Sequence, residues 1–364
     1  MLFGGPSPEH DISVLTGLQA VTALRNDGVD VTAIYWSKAA EFYEVDVGLD
    51  PAAFVEGVPR GATRLDLIAR PGAGFVPEAG RLGRRTPLSI SAIVNCCHGG
   101  PGEDGTLQAA LDLTGLRYTG PSAAGAALGM DKLAFAGTMM AAGIAALPRQ
   151  AFEAGGPPPG FNGPYIVKPR FGGSSIGIEI TDDPVAAAAL VRASPHYRAG
   201  AVIEPYLTDA VDLNIAVLTH PELRLSGIER PLRTGGETRI YSYADKYLGG
   251  EGMASAKREL PAALPEAIAS EINDAARAVV AAALVRSVAR IDFLLVGDEV
   301  FVNEINTITG SLAWYFWSAE GVPFSALLST LLAEAVQNPT AQYSTEGADG
   351  TALRSAGSIA AKLA

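Results

Sequence analysis

Cysteine is scarce in this chain of 364 residues: only two occur, Cys96 and Cys97, and they are adjacent. Adjacent cysteines supply neither a disulfide framework nor the ligand spacing of a zinc site. At the end of the apolar run SAIVNCC we expect them to be small buried side chains. Basic residues are not in excess either, because the formal net charge is −12. We therefore expect no nucleic-acid partner, although a locally basic pocket can still bind a small anion.

Long apolar segments are also lacking. No uninterrupted apolar stretch of about 18 residues occurs, and the opening MLFGGPSPEH has neither the basic nor the hydrophobic region of a signal peptide. These features predict a soluble, cytoplasmic protein without a membrane partner. Only Leu2 and Phe3 stand between Met1 and the first glycines, whereas an ordinary strand has ~5 residues. This shortness suggests that the chain as given starts too late.

The pattern of the sequence alternates between strands and helices, and its length suits two or three domains. Residues 1–120 contain a predicted helix that Ser7 caps, with Ile12, Leu15, Leu18 and Val21 on its buried side. The segments VDVTAIYW and SAIVNCC are predicted strands of the same α/β unit.

Two further α/β units and a tail are predicted after this one. Residues 121–205 combine Ala/Gly-rich helix with two strands around the turn of PYIVKPRFGGSSIGIEI. Residues 206–337 contain strands such as LNIAVL, a helix over about 263–284 and a hairpin. Residues 338–364 lack periodicity, and we expect a loosely held tail there.

The hairpin ARIDFLLV–GDE–VFVNEIN is the strongest local signal for chemistry. If Val296 pairs with Val300, then Asp292 lies opposite Glu304, and Asn306 shares the face of Glu304. Two carboxylates and an amide oxygen, without histidine or cysteine, are ligands that suit Mg²⁺. The alternative is a solvated hairpin face with ordinary charges, and spacing alone does not decide between the two.

Two glycine-rich loops are candidate ligand sites. In VKPRFGGSSIG, Lys168 leaves a strand and enters a Gly-Ser loop whose N–H groups and hydroxyls can close over phosphates; a mobile hairpin tip is the alternative. The same stretch matches the G-x-S-x-G pattern of hydrolases, but that motif requires a following helix, and the strand-like IGIEI follows instead. The second loop, in CCHGGPGEDGTLQ, precedes a helix and is weak evidence alone.

Six segments together resemble the D-alanine–D-alanine ligases of the ATP-grasp superfamily. In chain order they are GGPSPEHDIS, HGGPGEDGTLQ, YTGPSAAGAALGMDK, VKPRFGGSSIGI, YSYADKY and RIDF…NEINT. The resemblance covers residues 3 to about 335. It implies an α/β fold of ATP-grasp type with three α/β domains, and ATP held between the central and C-terminal sheets.

The resemblance also implies roles for individual residues. Glu9, steadied by Ser174 and Tyr247, would hold the ammonium group of the first amino acid, and His98 would line the substrate site. Asp212 stands where the family usually has a longer, ribose-binding glutamate. The residues that would bind ATP are Lys132, Lys168, Ser175, Glu204, Leu207, Asp212 and Lys246.

The remaining implied roles concern the metal and the reaction. Asp292, Glu304 and Asn306 would bind two Mg²⁺ ions, with Mn²⁺ as a substitute. Arg290 and the N–H of Gly310 would stabilise the oxyanion of a tetrahedral intermediate. The implied reaction joins two amino acids, D-alanine foremost, through an acyl phosphate. The resemblance also implies a role in peptidoglycan synthesis and a homodimeric enzyme. The alternatives are a related enzyme that makes another dipeptide and a catalytically inactive nucleotide-binding protein.

One segment departs from the family pattern. After the Asn-Thr pair the family has a proline, and shortly afterwards a small Ser-Leu pair that receives the second amino acid. Here Thr309 replaces the proline, and Tyr315 and Phe316 stand where Ser-Leu is expected. We interpret the aromatic residues as the wall of a remodelled substrate pocket. The alternative is that they turn into the core, as aromatic residues usually do.

Overall fold

The computed structural model describes residues 1–78, 85–232, 257–340 and 344–359. Within these ranges the chain forms one five-stranded sheet, two four-stranded sheets and a small two-stranded sheet, with helices packed between and around them. The mixed α/β architecture expected from the sequence is confirmed.

The five-stranded sheet belongs to the N-terminal part of the chain. Its strands follow the order β1-β2-β3-β4-β5, with β1 and β2 parallel and the others antiparallel. The predicted strand SAIVNCC forms only isolated parallel bridges, Asn95 with Leu2 and Ile93 with Tyr118. The elements are β1 (Leu2–Gly4), α1 (His10–Asn26), β2 (Ala33–Trp36), β3 (Phe42–Val45), β4 (Thr63–Ile68), β5 (Gly74–Pro77) and α2 (Thr106–Thr114).

Helix α1 differs from its prediction in two respects. It begins at His10, and Ser7 does not cap it; the Ser7 hydroxyl donates to the His98 carbonyl at 2.6 Å instead. Leu15 is 41% exposed, whereas Val14 and Leu24 are buried. A spacing of three residues drifts by about 60° around a helix at each step, so it cannot stay on one face. The buried side therefore follows mixed spacings of three and four.

The first four-stranded sheet, here called the central sheet, has the antiparallel order β6-β9-β7-β8. The predicted pair of strands around the Gly-Ser loop is confirmed as β7 and β8. Asp131 caps the helix that carries Lys132, because its carboxylate accepts from the N–H groups of Leu133 and Ala134. The elements are α3 (Ala123–Met130), α4 (Lys132–Ala141), β6 (Gln150–Phe152), β7 (Tyr165–Pro169), β8 (Glu179–Thr181), α5 (Pro184–Ala193) and β9 (Ala201–Pro205).

The second four-stranded sheet, here called the C-terminal sheet, has the order β11-β10-β14-β15. The predicted long helix is α6, and Ile268, Ile272, Ala276 and Val279 form its buried stripe. The elements are β10 (Val211–Leu218), β11 (Arg224–Leu225), β12 (Arg230–Pro231), β13 (Arg258–Glu259), α6 (Glu266–Ala282), β14 (Val288–Val296), β15 (Glu299–Asn306), α7 (Trp314–Ser318), α8 (Phe324–Gln337) and α9 (Thr351–Ser355).

The β14–β15 hairpin has a register that the sequence predicted only in part. The expected pairing of Val296 with Val300 is wrong, since Val296 pairs with Glu299 across a tight Gly297–Asp298 turn. The pairing of Asp292 with Glu304 is nevertheless confirmed. A β-bulge at Asn303 inserts one residue into β15 and corrects the register on the side of the site.

The described part of the chain contains no helix that is long and apolar enough to cross a membrane. Beyond residue 337, the Thr340 hydroxyl donates to Asp112 at 2.6 Å, and the short helix α9 is exposed. Helix α1 packs against α8, so that the N-terminal and C-terminal parts of the chain share one hydrophobic core.

Candidate active site

Two adjoining cavities meet at the end of the β14–β15 hairpin. The large cavity lies between the central and C-terminal sheets and measures about 1180 Å³, counting space open to solvent. The inner cavity, about 720 Å³ on the same basis, reaches the N-terminal loops around Glu9 and His98. Arg290 and Glu304 line both cavities. A reaction between ligands held in the two cavities would therefore take place beside these two side chains.

The large cavity has an apolar wall and a charged end. Its apolar lining includes Ile166 of the central sheet, Leu294 of the C-terminal sheet and Leu207 of the segment after β9. Lys168, Ser175, Asp212, Asp292 and Glu304 supply charged and polar groups to the same cavity. A cleft with one apolar part and a few converging polar groups suits a nucleotide base attached to phosphates.

The paired carboxylates of the hairpin are held by hydrogen bonds. Asp292 accepts from Nε and Nη2 of Arg290 at 2.6 and 2.7 Å and from Nδ2 of Asn306 at 3.0 Å. Burial acts against the charge of Arg290, but the carboxylate of Asp292 outweighs it and raises the pKa of the guanidinium well above its ordinary value. The Asp292 carboxylate is thus fixed in place where it lines the large cavity.

The side chains of Asp292, Glu304 and Asn306 suit a divalent cation such as Mg²⁺. The set consists of two carboxylates and an amide oxygen, all hard oxygen ligands. Within the described residues, no three side chains of histidine, cysteine, aspartate or glutamate come together as a metal site. Mg²⁺ rarely needs such a cage, since it usually takes waters and phosphate oxygens as its other ligands.

Cations surround a wholly buried carboxylate beside this hairpin. Lys168 Nζ forms an ion pair with Oε1 of Glu204, while Arg149 approaches Oε2 with Nε at 3.0 Å and Nη2 at 2.8 Å. Burial alone would raise the pKa of Glu204, but the two cations outweigh it and bring the pKa to about 2. Lys132 lies in the neighbouring wall, and burial lowers its pKa although Glu304 acts in the opposite direction.

The environment of the Glu204 side chain adds to what the family resemblance implies. The resemblance places Glu204 beside the base of a bound nucleotide, and in the structure its carboxylate is engaged by Lys168 and Arg149. Arg149 was not predicted from the sequence, because it belongs to no recognisable motif. Its only sequence signal is a basic residue directly before the strand β6, in a stretch that is otherwise apolar.

The Gly-Ser loop after β7 is held closed over the inner cavity. The Ser174 hydroxyl donates to Oε1 of Glu9, and Lys132 Nζ donates to the Gly172 carbonyl. Ser174 and Ser175 have φ values of 54° and 59°, in the left-handed region that L-residues rarely occupy. Each such residue costs on the order of 1–3 kcal/mol, which the surrounding contacts must offset. Strain of this kind is common where a loop is shaped for a ligand.

His98 lines the inner cavity, but both of its ring nitrogens are already engaged by the protein. Nδ1 lies 2.6 Å from the Ile308 carbonyl, which can only accept, so Nδ1 carries the proton. Nε2 lies 2.9 Å from the Thr16 hydroxyl, which in turn accepts from the N–H of Ser311. Burial lowers the pKa of His98, in agreement with a neutral ring. The ring thus orders the chain after the hairpin.

The chain after the hairpin makes an unusual turn. Ser311, Leu312 and Ala313 follow Gly310 with φ values of 48°, 49° and 56°. Helix α1 supports this turn, because Thr16 accepts from the Ser311 N–H and Gln19 accepts from the Ser311 hydroxyl. Three left-handed residues reverse the direction of the chain, and Gly310 is thereby presented to the inner cavity.

The aromatic stretch divides between the cavity and the core. Tyr315 lines the large cavity, and its ring stacks on Phe316 with centroids 4.5 Å apart. Phe316 and Trp317 are buried in the shared core, to which the buried Tyr315 also belongs, and Trp314 stacks on Phe324. The interpretation of this stretch as a pocket wall therefore fits only Tyr315. Phe316, predicted as a substrate residue, packs into the core, in agreement with the alternative interpretation.

Two predicted site residues, Lys246 and Tyr247, lie outside the described residues. Apart from Phe316, which packs into the core, the others gather around the two cavities. Glu9, His98, Lys132, Ser174, Asn306 and Gly310 line the inner cavity. Lys168, Ser175, Glu204, Leu207, Asp212, Asp292 and Tyr315 line the large cavity.

Models of known protein families match most of the chain. The one described as "D-ala D-ala ligase N-terminus" matches residues 1–121, and the one described as "D-ala D-ala ligase C-terminus" matches residues 160–333. A "D-alanine--D-alanine ligase B" from Bradyrhizobium diazoefficiens is 32% identical, with 92% of each chain covered. A "D-alanine--D-alanine ligase" from Chlorobaculum tepidum is 30% identical, over 93% of this chain and 96% of the relative.

Solved structures with the same fold were also found. A D-alanine-D-alanine ligase from Coxiella burnetii superposes with a TM-score of 0.74 at 22% identity, covering 92% of this chain and 94% of that one. The VanG D-Ala:D-Ser ligase from Enterococcus faecalis gives a TM-score of 0.73 at 20% identity, covering 92% and 98%. At these identities the similarity concerns the fold.

Proposed function

The chain belongs to the D-alanine–D-alanine ligase family and has the ATP-grasp fold, and from this premise we propose that it joins D-alanine to a second D-amino acid in an ATP-dependent reaction. The observation that carries the proposal is the meeting of the two cavities at Arg290 and Glu304. The large cavity has the shape and polarity for ATP, and the inner cavity has those for an amino acid.

The first amino acid binds in the inner cavity. The Glu9 carboxylate faces this cavity and receives the Ser174 hydroxyl. A carboxylate held in this way offers its remaining lone pairs to an ammonium group. The carboxylate of the same amino acid then points towards Arg290 and Glu304, where the large cavity begins. The family resemblance adds Tyr247 as a further support of Glu9.

ATP binds in the large cavity with its base between the two sheets. Ile166, Leu207 and Leu294 enclose the base, and Asp212 is the candidate partner of the ribose. Lys168 faces the phosphates from the large cavity and Lys132 from the adjoining inner cavity, and the family resemblance adds Lys246. Asp292, Glu304 and Asn306 hold the divalent cation, two ions in our proposal, with Mn²⁺ accepted in place of Mg²⁺. Bound Mg²⁺ supplies positive charge that neutralises the phosphate oxygens.

The reaction follows from the charges that the chain places at the junction. A carboxylate is a poor electrophile, so ATP first converts it into an acyl phosphate and ADP leaves. The amine of the second amino acid attacks this carbonyl carbon, and phosphate leaves as the C–O bond breaks. Arg290 and the Gly310 N–H stabilise the negative oxygen of the tetrahedral intermediate. The Gly-Ser loop helps to exclude water, which would hydrolyse the acyl phosphate.

The second amino acid is expected to differ from D-alanine because of Tyr315. Its ring stacks on Phe316, and the Arg258 guanidinium lies 4.1 Å from the ring centroid. Its hydroxyl lies 3.3 Å from Glu229. Because these contacts hold the ring in place, it keeps its volume in the pocket beside Arg290. That pocket therefore differs in shape from one that a small serine would form.

Two measurements test the proposal. ADP release is followed with D-alanine alone and with D-alanine plus a panel of D- and L-amino acids, and mass spectrometry identifies the dipeptides formed. We expect ADP release that depends on D-alanine and is faster with another acceptor. Folded protein that releases no ADP with any pair would favour an inactive nucleotide-binding homologue. A low-millimolar KM for D-alanine as acceptor, with no other acceptor faster, would contradict the proposed specificity.

Tyr315→Ser tests the role of the ring directly. We expect the variant to use D-alanine as acceptor with a lower KM than the wild type, because a small side chain opens the pocket. Tyr315→Phe keeps the ring and should behave as the wild type in this respect.

We further propose that the enzyme acts as a homodimer in the cytoplasm and supplies a dipeptide for peptidoglycan synthesis.

A further inference from the structure

Arg149 joins three parts of the nucleotide site. Its guanidinium donates to Oε2 of Glu204 on β9 through both Nε and Nη2, at 3.0 and 2.8 Å. Nη1 donates to the Lys132 carbonyl at the start of α4 at 2.8 Å. Nη2 also donates to the Asn303 carbonyl at 3.2 Å and lies 3.4 Å from its amide oxygen. The Arg149 side chain is only 2% exposed.

The charges around Glu204 explain why such a residue is needed. The Glu204 carboxylate is wholly buried, and the two cations that pair with it are Arg149 and Lys168. An uncompensated buried charge is strongly unfavourable. Without Arg149, Lys168 would be the one remaining counter-charge of the Glu204 carboxylate among these two cations. Lys168 would then be held by Glu204 and would be less available to a ligand.

The two cations stand on different sides of the carboxylate. Lys168 and Glu204 line the large cavity, whereas Arg149 lines the inner cavity. A nucleotide in the large cavity would therefore meet Lys168 and would not need to touch Arg149. This arrangement separates a permanent partner of Glu204 from an exchangeable one.

We propose that Arg149 is a positioning residue of the nucleotide site: it is the permanent counter-charge of Glu204 and so leaves the Lys168 ammonium free to turn to the phosphates of ATP. Through Asn303 it also holds the bulge that keeps Glu304 opposite Asp292. The inference rests on the proposed function, since it takes ATP as the ligand of the large cavity.

The test compares equilibrium binding of ATP with Mg²⁺ to the wild type and to three variants, Arg149→Met, Glu204→Gln and the double variant Arg149→Met/Glu204→Gln. We expect Arg149→Met to weaken ATP binding by roughly tenfold or more, as the loss of charge-assisted hydrogen bonds commonly does. In the double variant no buried carboxylate holds Lys168, so ATP should bind within about threefold of its affinity for Glu204→Gln alone. The KM for D-alanine as donor should change much less than the KM for ATP.

A matched control is Arg286→Met. Arg286 is also partly buried and donates to the Tyr118 and Gly120 carbonyls, away from the two cavities. We expect this variant to lower thermal stability without changing the Kd for ATP. If Arg149 has only such a structural role, its variant will lose stability while ATP affinity stays within about twofold of the wild type, and the proposal is wrong.

The remaining outcomes are equally decisive. If Arg149 touched the phosphates itself, Glu204→Gln would not restore binding, and a folded double variant that binds ATP tenfold more weakly than Glu204→Gln overturns the proposal. If Arg149→Met does not fold, this comparison of the double and single variants still decides. A wild type that does not bind ATP would refute the proposed function instead, before any variant is compared.

Discussion

Replacing Glu103 by glutamine should change the stability of this protein by an amount that depends on pH. The Glu103 carboxylate is buried at the boundary between the N-terminal loops and the end of the hairpin. It accepts from the Gly99 N–H at 2.9 Å, from the Ile308 N–H at 2.8 Å and from the Thr307 hydroxyl at 3.2 Å. The side chain thus connects two distant segments of the chain through a single charge.

The sign of the pH dependence follows from the pKa of Glu103. Burial, together with the charge of Glu9, raises the pKa to about 7 from an ordinary value of 4.5, although the three hydrogen bonds oppose this. The native state therefore binds the proton more tightly than the unfolded state. The stabilisation is fully present below pH 4.5 and is lost as the pH rises to about 7. The shift corresponds to about 3 kcal/mol.

Glutamine removes this dependence but introduces a constant cost. Its amide oxygen can still accept from Ile308 and Thr307, whereas its NH₂ group faces the Gly99 N–H, another donor. A buried donor without its partner costs about 1–3 kcal/mol at any pH. Glu103→Gln should therefore be less stable than the wild type at pH 5 and about as stable, or more stable, at pH 8.5.

Urea unfolding of both proteins at pH 5 and pH 8.5 measures this difference. The free energy of unfolding of the variant, relative to the wild type, should rise by about 2–3 kcal/mol between the two pH values. Glu222→Gln, at an exposed glutamate, is the control for general effects of pH and charge. A relative stability of Glu103→Gln that is the same at both pH values would refute the reasoning.

Three further predictions concern the reaction. Glu304→Gln should lower turnover by at least ~100-fold with the fold intact, since it removes a proposed metal ligand and the loss of supporting residues alone costs ~10–100-fold. Glu299→Gln, exposed on the same strand, should be active. Near-normal activity of Glu304→Gln at saturating Mg²⁺ would show that the metal binds elsewhere. Ser174→Ala should raise the KM for donor D-alanine by roughly tenfold, because Glu9 loses a charge-assisted hydrogen bond; an equal rise in the KM for ATP would contradict this. Chelation of divalent cations should stop ADP release, and added Mg²⁺ should restore it. Assays of ADP before and after the addition of Mg²⁺ will check this.

Several features of the site could be predicted because they depend on neighbouring residues in the sequence. The hairpin is encoded by two alternating strands and a short turn with Gly297 at positive φ. The two strands around the Gly-Ser loop follow from the same kind of local signal. Such patterns also carry the family resemblance. The turn pairing that they predicted was wrong by one residue, and Asp292 lies opposite Glu304 because the bulge at Asn303 compensates for this difference.

Other features depended on contacts between distant segments. The bulge at Asn303 lies in a regular strand pattern, and Arg149, 154 residues away in the chain, holds it. The conformational preferences of neighbouring residues do not predict such a contact. The same holds for the pairing of Glu204 with Arg149 and Lys168, since burial of a carboxylate is determined by the packing around it. The family resemblance could therefore predict a place for Glu204 beside the nucleotide but could not identify the partners of its carboxylate.

The aromatic stretch after the hairpin shows most clearly which features depend on tertiary contacts. The sequence shows four large rings close to the end of β15, and it left open whether they line a pocket or turn into the core. Which ring faces the cavity was decided by the left-handed turn at Ser311, Leu312 and Ala313, which Thr16 and Gln19 of helix α1 stabilise from the other end of the chain. Because L-residues do not favour this conformation on their own, only the tertiary contacts could direct Tyr315 to the cavity and Phe316 into the core.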